Sequence, residues 1–246
     1  MPANLVSELK QHYGVVVSPC YERMSARGLL RSRTAEGGRK NGQRLGAPKP
    51  HVLKAHPDLE WLAPEEILRR AAAHRGKPSD RPRWPAFVAF AQGAAGNEWG
   101  WVPSLAARGK PSPVVHIEHD SDEATFEAPD FEAFVFMKAL QCLAYCAHDR
   151  GALDATVTVL RDSVKCTLPF LKPAFRAALE PILKRPFYKV TTERLALQKG
   201  KLRSASKDVH VYVVTEEFAG RVTKRLVDDR RIGAPLSATG RVQRTA

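Results

Sequence analysis

The sequence predicts an α+β fold: a central antiparallel or mixed β-sheet packed with helices, plus a C-terminal α/β extension. Three observations carry this. Three short strand-like runs crowd into residues 87–118, and well-punctuated helical segments stand on either side of them. Beyond residue 150 a helical stretch gives way to two β-branched runs and a further helix. A sheet of about four to six strands is expected.

The first helix is expected over Asn4 to Tyr13. Asn4 would cap it, Leu5, Val6, Leu9 and Tyr13 would share a face, and Gly14 would stop it. A second short helix is expected from Pro19 through Leu30. Residues 31–50, RSRTAEGGRKNGQRLGAPKP, are basic, Gly-rich and nearly free of apolar residues, which predicts a mobile insertion loop. In LAPEEILRRAAAHRG, Pro64 suits the first helical position and Glu65 and Glu66 suit the positive end of the helix dipole. Arg69, Arg70 and Arg75 suit the negative end, and Gly76 a left-handed cap. Phe87 to Gln92, Glu98 to Val102 and Val114 to Glu118 are the three strand candidates, with Gly93 to Asn97 as a hairpin turn.

HDSDEATFEAPD, from residue 119, is expected to be an acidic loop. Asp130 should cap a long apolar helix, Phe131 to His148, ended by Gly151. ATVTVLRDSV fits a strand or a helix. LPFLKPAFRAALEPILKRP is helical in pattern but interrupted by Pro173 and Pro181. FYKVTTERLAL and VHVYVVT suggest a hairpin joined by the polar QKGKLRSASKD. EEFAGRVTKRLV, after Thr215, reads as a capped amphipathic helix with Phe218, Val222 and Leu226 on one face. These elements divide the chain into a domain over 1–150, an extension over 151–229 and a disordered tail over 230–246.

The formal net charge is +13, and it is unevenly placed. Residues 1–85 hold 16 Lys+Arg against 8 Asp+Glu, residues 86–149 hold 3 against 9, and residues 150–246 hold 20 against 9. An acidic centre is flanked by two basic arms. No apolar run approaches the ~20 residues that span a bilayer, and Met1 to Gly14 lack the pattern of a secretory signal. A cytoplasmic protein without a membrane partner is expected.

The glycines of FAQGAAGNEWGWVP raise the possibility of a phosphate cradle. A P-loop requires a Lys and a hydroxyl after its last glycine, whereas Gly96 is followed by Asn97, Glu98 and Trp99. A dinucleotide turn must open a helix, and these glycines lead into an alternating aromatic strand. They predict a tight turn between strands. In HIEHD, a strand would point His116, Glu118 and Asp120 to one face and Ile117 and His119 to the other, so the histidines diverge. Cys142 and Cys146 stand one helical turn apart in an apolar run and read as buried thiols. No nucleophile or acid/base set converges, so no catalytic residue, metal or cofactor is expected. The basic arms could meet nucleic acid through phosphates, but the strands lack interleaved aromatic stacking residues, which disfavours that partner.

The order of LEWLAPEEIL (59–68), FVAFAQGAAGNEWGWV (87–102), PVVHIEHDSDEA (113–124) and APDFEAFVFM (128–137) resembles the SUKH superfamily, which includes cell-wall assembly regulators and bacterial immunity proteins. The resemblance covers about residues 1–148. Asn97 departs from the Asp often found in the family's turn, residues 31–50 look like an insertion, and the last hundred residues have no counterpart. The resemblance implies a binding protein rather than an enzyme: a cytoplasmic immunity protein that occludes the active site of a cognate toxin in interbacterial competition. A nucleic-acid-associated basic protein and a non-catalytic scaffold or regulatory module are the alternatives. The expected docking face is Glu118, Asp120, Asp122, Glu123, Glu127 and Asp130, next to the core the resemblance covers. The alternative is the basic face of Lys199, Lys201, Arg203 and Lys207. Oligomeric state is left open.

Overall fold

A computed structural model describes residues 4–30, 52–53, 56, 58–76, 86–93, 95–119, 124–144, 146–147, 153–198 and 201–236. The insertion expected over 31–50 lies outside them. The fold is α+β, and the chain divides into two compact units. The first comprises residues 1–52, 58–135 and 227–246, the second residues 53–57 and 136–226. The boundaries at 135/136 and 226/227 fall inside helices.

The first unit opens with α1 (Asn4–Tyr13) and α2 (Pro19–Ala26). Leu5 and Leu9 are fully buried. Gly14 takes φ +69°, and the next amide, Val15 N–H, donates to Leu9 O at 3.0 Å, closing α1 as expected. Ser18 caps α2 by accepting from Tyr21 N–H at 3.3 Å. This helix ends at Ala26 rather than running to Leu30. Gly28 takes φ +63° and Leu29 N–H reaches back to Met24 O at 3.0 Å, so the chain has already reversed.

The six-stranded sheet runs β1 (Glu60–Trp61), β2 (Val88–Gln92), β3 (Glu98–Trp101), β4 (Val114–Ile117), β5 (Ala124–Ala128) and β9 (Pro235–Leu236), every pair antiparallel. Helix α3 (Pro64–Gly76) follows β1 and begins on Pro64 as the sequence requires. Helix α4 spans Phe131–Ala144.

One face of this sheet is aromatic. Trp99 and Trp101 alternate on β3, and a register shift between Ala89 and Ala91 brings Phe90 to the same side. Phe131 of α4 meets Trp61 at 5.7 Å, Phe90 at 5.3 Å and Tyr21 of α2 at 5.0 Å between ring centroids. Phe134, one turn further along α4, meets Phe90 at 5.4 Å. Trp61 satisfies its buried indole by donating to Val52 O at 2.9 Å.

The opposite face is closed by smaller devices. Phe87 lies over Gly100, where an added Cβ would come within 2.5 Å of the Phe87 ring and of Val88 O. Only glycine fits beneath that ring. Phe126 of β5 is covered by the Arg231 guanidinium, 4.3 Å from its centroid.

Two expectations fail here. HDSDEATFEAPD is not one loop, because Ala124–Ala128 forms β5 with Ala124, Phe126 and Ala128 buried. Its period-two pattern is short and hidden among acids. The segment from residue 230 is not wholly a disordered tail. Gly233 N–H donates to Phe126 O at 2.8 Å and Pro235–Leu236 forms the edge strand β9. Residues 237–246 lie outside the described set.

In the second unit, α5 (Leu153–Lys165) and α6 (Pro173–Leu183) follow the short β6 (Cys146–Ala147). ATVTVLRDSV is therefore helical: Val157, Leu160 and Val164 are buried at helical spacing, which overrides their β-branching. Phe136 stacks on Phe175 of α6 with centroids 4.1 Å apart. Pro173 starts α6, and Pro181 is accommodated within its last turn. The helix from Phe131 stops at Ala144, short of His148, and Cys146 belongs to a strand rather than to that helix. Gly151 lies outside the described residues.

β7 (Tyr188–Gln198) and β8 (Lys201–Tyr212) are longer than expected. The polar stretch read as a connector is mostly strand, paired from Tyr188↔Tyr212 to Gln198↔Lys201. Helix α7 (Glu216–Val227) is capped by Thr215, whose hydroxyl accepts from Phe218 N–H at 3.2 Å. Val222 is buried on its inner face, with Phe218 and Leu226 half-buried beside it.

Candidate protein-docking site

The functional question centres on the end of the first unit's sheet where the β2–β3 turn meets the chain leaving β4. Gly93 N–H donates to Asn97 O at 2.7 Å and Gly96 N–H to Gly93 O at 3.0 Å, making the tight turn that the glycines predict. Gly96 takes φ +88°, a left-handed conformation that favours glycine. A Cβ there would also approach His119 Cδ2 within 2.7 Å. Asn97 Oδ1 accepts from His119 N–H at 2.9 Å, tying the turn to the segment after β4. An aspartate oxygen would accept the same bond, so Asn97→Asp would leave this link intact.

His116 and His119 diverge. His116 stacks on its cross-strand neighbour Trp99 at 4.9 Å, whereas His119 lies beside the glycine turn. Among the described residues, no group of three His, Cys, Asp or Glu is placed to hold a metal ion.

Three members of the acidic set, Glu118, Glu127 and Asp130, fall among the described residues. Glu118 is exposed just beyond β4. Asp120, Asp122 and Glu123 lie outside the described residues, in the stretch that leads from Glu118 into β5. Glu127 is half-buried near the far end of β5. Asp130 is committed to α4, its Oδ1 accepting from Ala133 N–H at 2.7 Å. The two ends of β5, Ala124 and Ala128, are roughly 13 Å apart at ~3.3 Å per residue. Among the described members of the set, Glu118 lies at one sheet end and Glu127 and Asp130 at the other.

The Glu118 end has acidic neighbours that the sequence reading did not single out. Glu60 and Gln92 are cross-strand partners, as are Gln92 and Glu98 and then Glu98 and Ile117, so this row crosses the same end of the sheet. Arg70 of α3 ties the row together, donating to Glu98 and, at 2.7 Å, to Gln92 Oε1. Arg70 Nε also donates to Glu66 at 2.6 Å. Hydrogen bonds from Arg69 and then Arg70 hold the Glu66 carboxyl down at about 2. The Glu66–Arg70 spacing was visible on the helix, but Glu98 is reached only through the fold.

Burial pushes the Cys20 thiol well above its usual range, and the Glu132 carboxylate adds to that. Such a thiol is unsuited to nucleophilic work. For the alternative basic face, Lys201 and Arg203 lie on β8 and pair with Gln198 and Ala196, and Lys207 pairs with Glu193. Lys199 lies outside the described residues. No helix among the described residues is long and apolar enough to cross a membrane. No known family, curated protein or solved structure matches the chain.

Proposed function

We propose that the chain is a non-enzymatic binding protein of the SUKH type, an immunity protein that neutralises a cognate toxin in the cytoplasm by covering its active site. The observation that supports this reading is positional. The four segments that resemble the family fall in order on β1 and α3, the β2–β3 hairpin, β4 leading into β5, and the end of β5 running into α4. All belong to one antiparallel sheet with an aromatic face packed on α4. The glycine turn serves this architecture, and its tie to His119 presents the chain after β4 at the sheet end.

Docking is assigned to that end, through Glu118 with Asp120, Asp122 and Glu123. A toxin that attacks nucleic acid carries a positive cleft, and a run of carboxylates can fill it in place of phosphates. Complementary charge sets the approach and the choice of partner. Glu127 and Asp130 are left out of this face by their place at the other end of β5.

The test is co-expression with the protein encoded beside it. The reading predicts a stoichiometric complex on purification and rescue of growth from the toxin. A well-folded chain that neither binds nor rescues would sink it.

A further inference from the structure

We propose that the ribbon of β7 and β8 is a nucleic-acid-binding arm that grips the phosphate backbone of duplex DNA. This goes beyond the neutralising role and does not depend on it.

The first observation is where the charge sits. The second unit holds 18 Lys+Arg against 8 Asp+Glu, whereas the larger first unit holds 21 against 18. Ten of the thirteen net positive charges therefore belong to the unit that carries the ribbon, and a polyanion is its complementary partner.

The second observation is the pairing. β6 reaches β8 only at Cys146↔Val211 and Ala147↔His210. From Thr191↔Val209 to Gln198↔Lys201, β8 pairs with β7 alone among the described residues. A lone two-stranded ribbon is marginal in water, and a partner laid along it would add to its stability.

The third observation is the register. Cross-strand partners share a face. Arg194 and Ser206, Ala196 and Arg203, and Gln198 and Lys201 are partners, which gathers three cations and three small or hydrogen-bonding residues on one face. Leu195 with Ser204 and Leu197 with Leu202 fall on the other. Asp208 shares the cationic face but lies towards the β6 end, and Lys207 is opposed by Glu193 on the second face. The outer part of the first face is thus mainly cationic, with Asp208 diagonal to Arg194 at its inner end.

The dimensions fit. Thr191 to Gln198 is eight residues, roughly 26 Å of strand at ~3.3 Å per residue. The B-form major groove is about 12 Å wide and admits a two-stranded ribbon. The deep, narrow major groove of A-form RNA does not. A register shift between Arg194 and Leu195 adds local twist to the ribbon.

Fluorescence anisotropy of the full chain with a labelled DNA duplex of arbitrary sequence tests this, repeated at ~50 and ~200 mM salt. Binding should weaken steeply with salt. Arg194→Glu, Lys201→Glu and Arg203→Glu together should lower affinity at least tenfold and flatten the logarithmic salt slope by about three, one per phosphate contact. The milder Lys201→Gln with Arg203→Gln pair should flatten it by about two, with the circular dichroism spectrum unchanged in both variants. Absence of duplex binding would overturn the proposal, as would equal binding by the triple variant. An equal loss on reversing Lys165, Lys184 and Lys224, which lie on or beside α5, α6 and α7 rather than on the ribbon, would reduce the effect to bulk charge and also overturn it. Tighter binding to duplex RNA, or equal binding to an acidic polypeptide, would contradict the assignment to the DNA groove.

Discussion

The two units stabilise their β-structure in opposite ways. In the first, strands of two to five residues are held between an aromatic face and the Phe87 and Arg231 covers. Polar groups there are largely engaged within the unit: Asn97 holds His119, Asp130 caps α4, and Arg70 links Glu66, Gln92 and Glu98. In the second, two strands of 11 and 12 residues run on past their third strand. Tyr188, stacked on Tyr212 at 5.4 Å, is 54% exposed. The short strands are held by a covering core, whereas β7 and β8 extend beyond the pairing with β6.

Replacing an aromatic residue in each unit sharpens this contrast most. Trp101 is fully buried between Tyr21, Phe90 and Phe131. Trp101→Ala should cost ~3–5 kcal/mol in urea unfolding, while Tyr188→Ala should cost under ~1 kcal/mol, the scale of a cross-strand pair. Comparable losses at both positions would erase the distinction. Next comes Gly100→Ala, which forces a methyl against the Phe87 ring and the Val88 carbonyl. A loss of ~1–3 kcal/mol is expected. Phe87→Ala in the same chain should restore part of it, and no recovery would show that the ring is not what demands glycine.

Much of the first unit was legible in the sequence, because its signals are local. Gly14, Pro64 and Asp130 are read from their immediate neighbours, and each lies at a helix boundary, as does Thr215 in the second unit. What escaped depends on distant partners. β5 shows five residues of alternation that become meaningful only when Val115 and His116 pair with Phe126 and Thr125. β9 has two residues and exists because β5 offers an edge. In α5, β-branched Val157 and Val164 masked a helical period. Along β8, Lys201 to Asp208 carries almost no apolar pattern, so its strand character comes from β7 alone. The acidic run was legible as composition, but the separation of Glu118 from Glu127 and Asp130 by β5 was not.

Smaller effects probe the polar devices. Asp130→Ala removes the acceptor for Ala133 N–H, and a loss of ~0.5–2 kcal/mol is expected for such a cap. Asp130→Asn should recover most of it, since the amide oxygen still accepts. Glu66 gives the smallest effect. Its carboxyl is held at about 2, below the ~4.3 of an unfolded chain. The carboxylate therefore adds stability above pH ~4.3 that is lost as pH falls towards ~2. Glu66→Gln should destabilise by under ~1 kcal/mol at neutral pH, and the two proteins should converge near pH 2. A gap that persists there would assign the effect to packing.

The central question is which charges meet the proposed toxin partner. Titration calorimetry of the co-purified partner against two charge-reversed proteins measures that directly. Reversing Asp120, Asp122 and Glu123 to Lys should weaken the complex by ~2–5 kcal/mol, at least about thirtyfold in Kd. It should also abolish protection while leaving the fold intact. Reversing Lys199, Lys201 and Arg203 to Glu should change Kd less than about threefold, under ~0.7 kcal/mol. If the second protein loses the complex and the first keeps it, the partner docks on the ribbon and the assignment to the acidic sheet end is wrong.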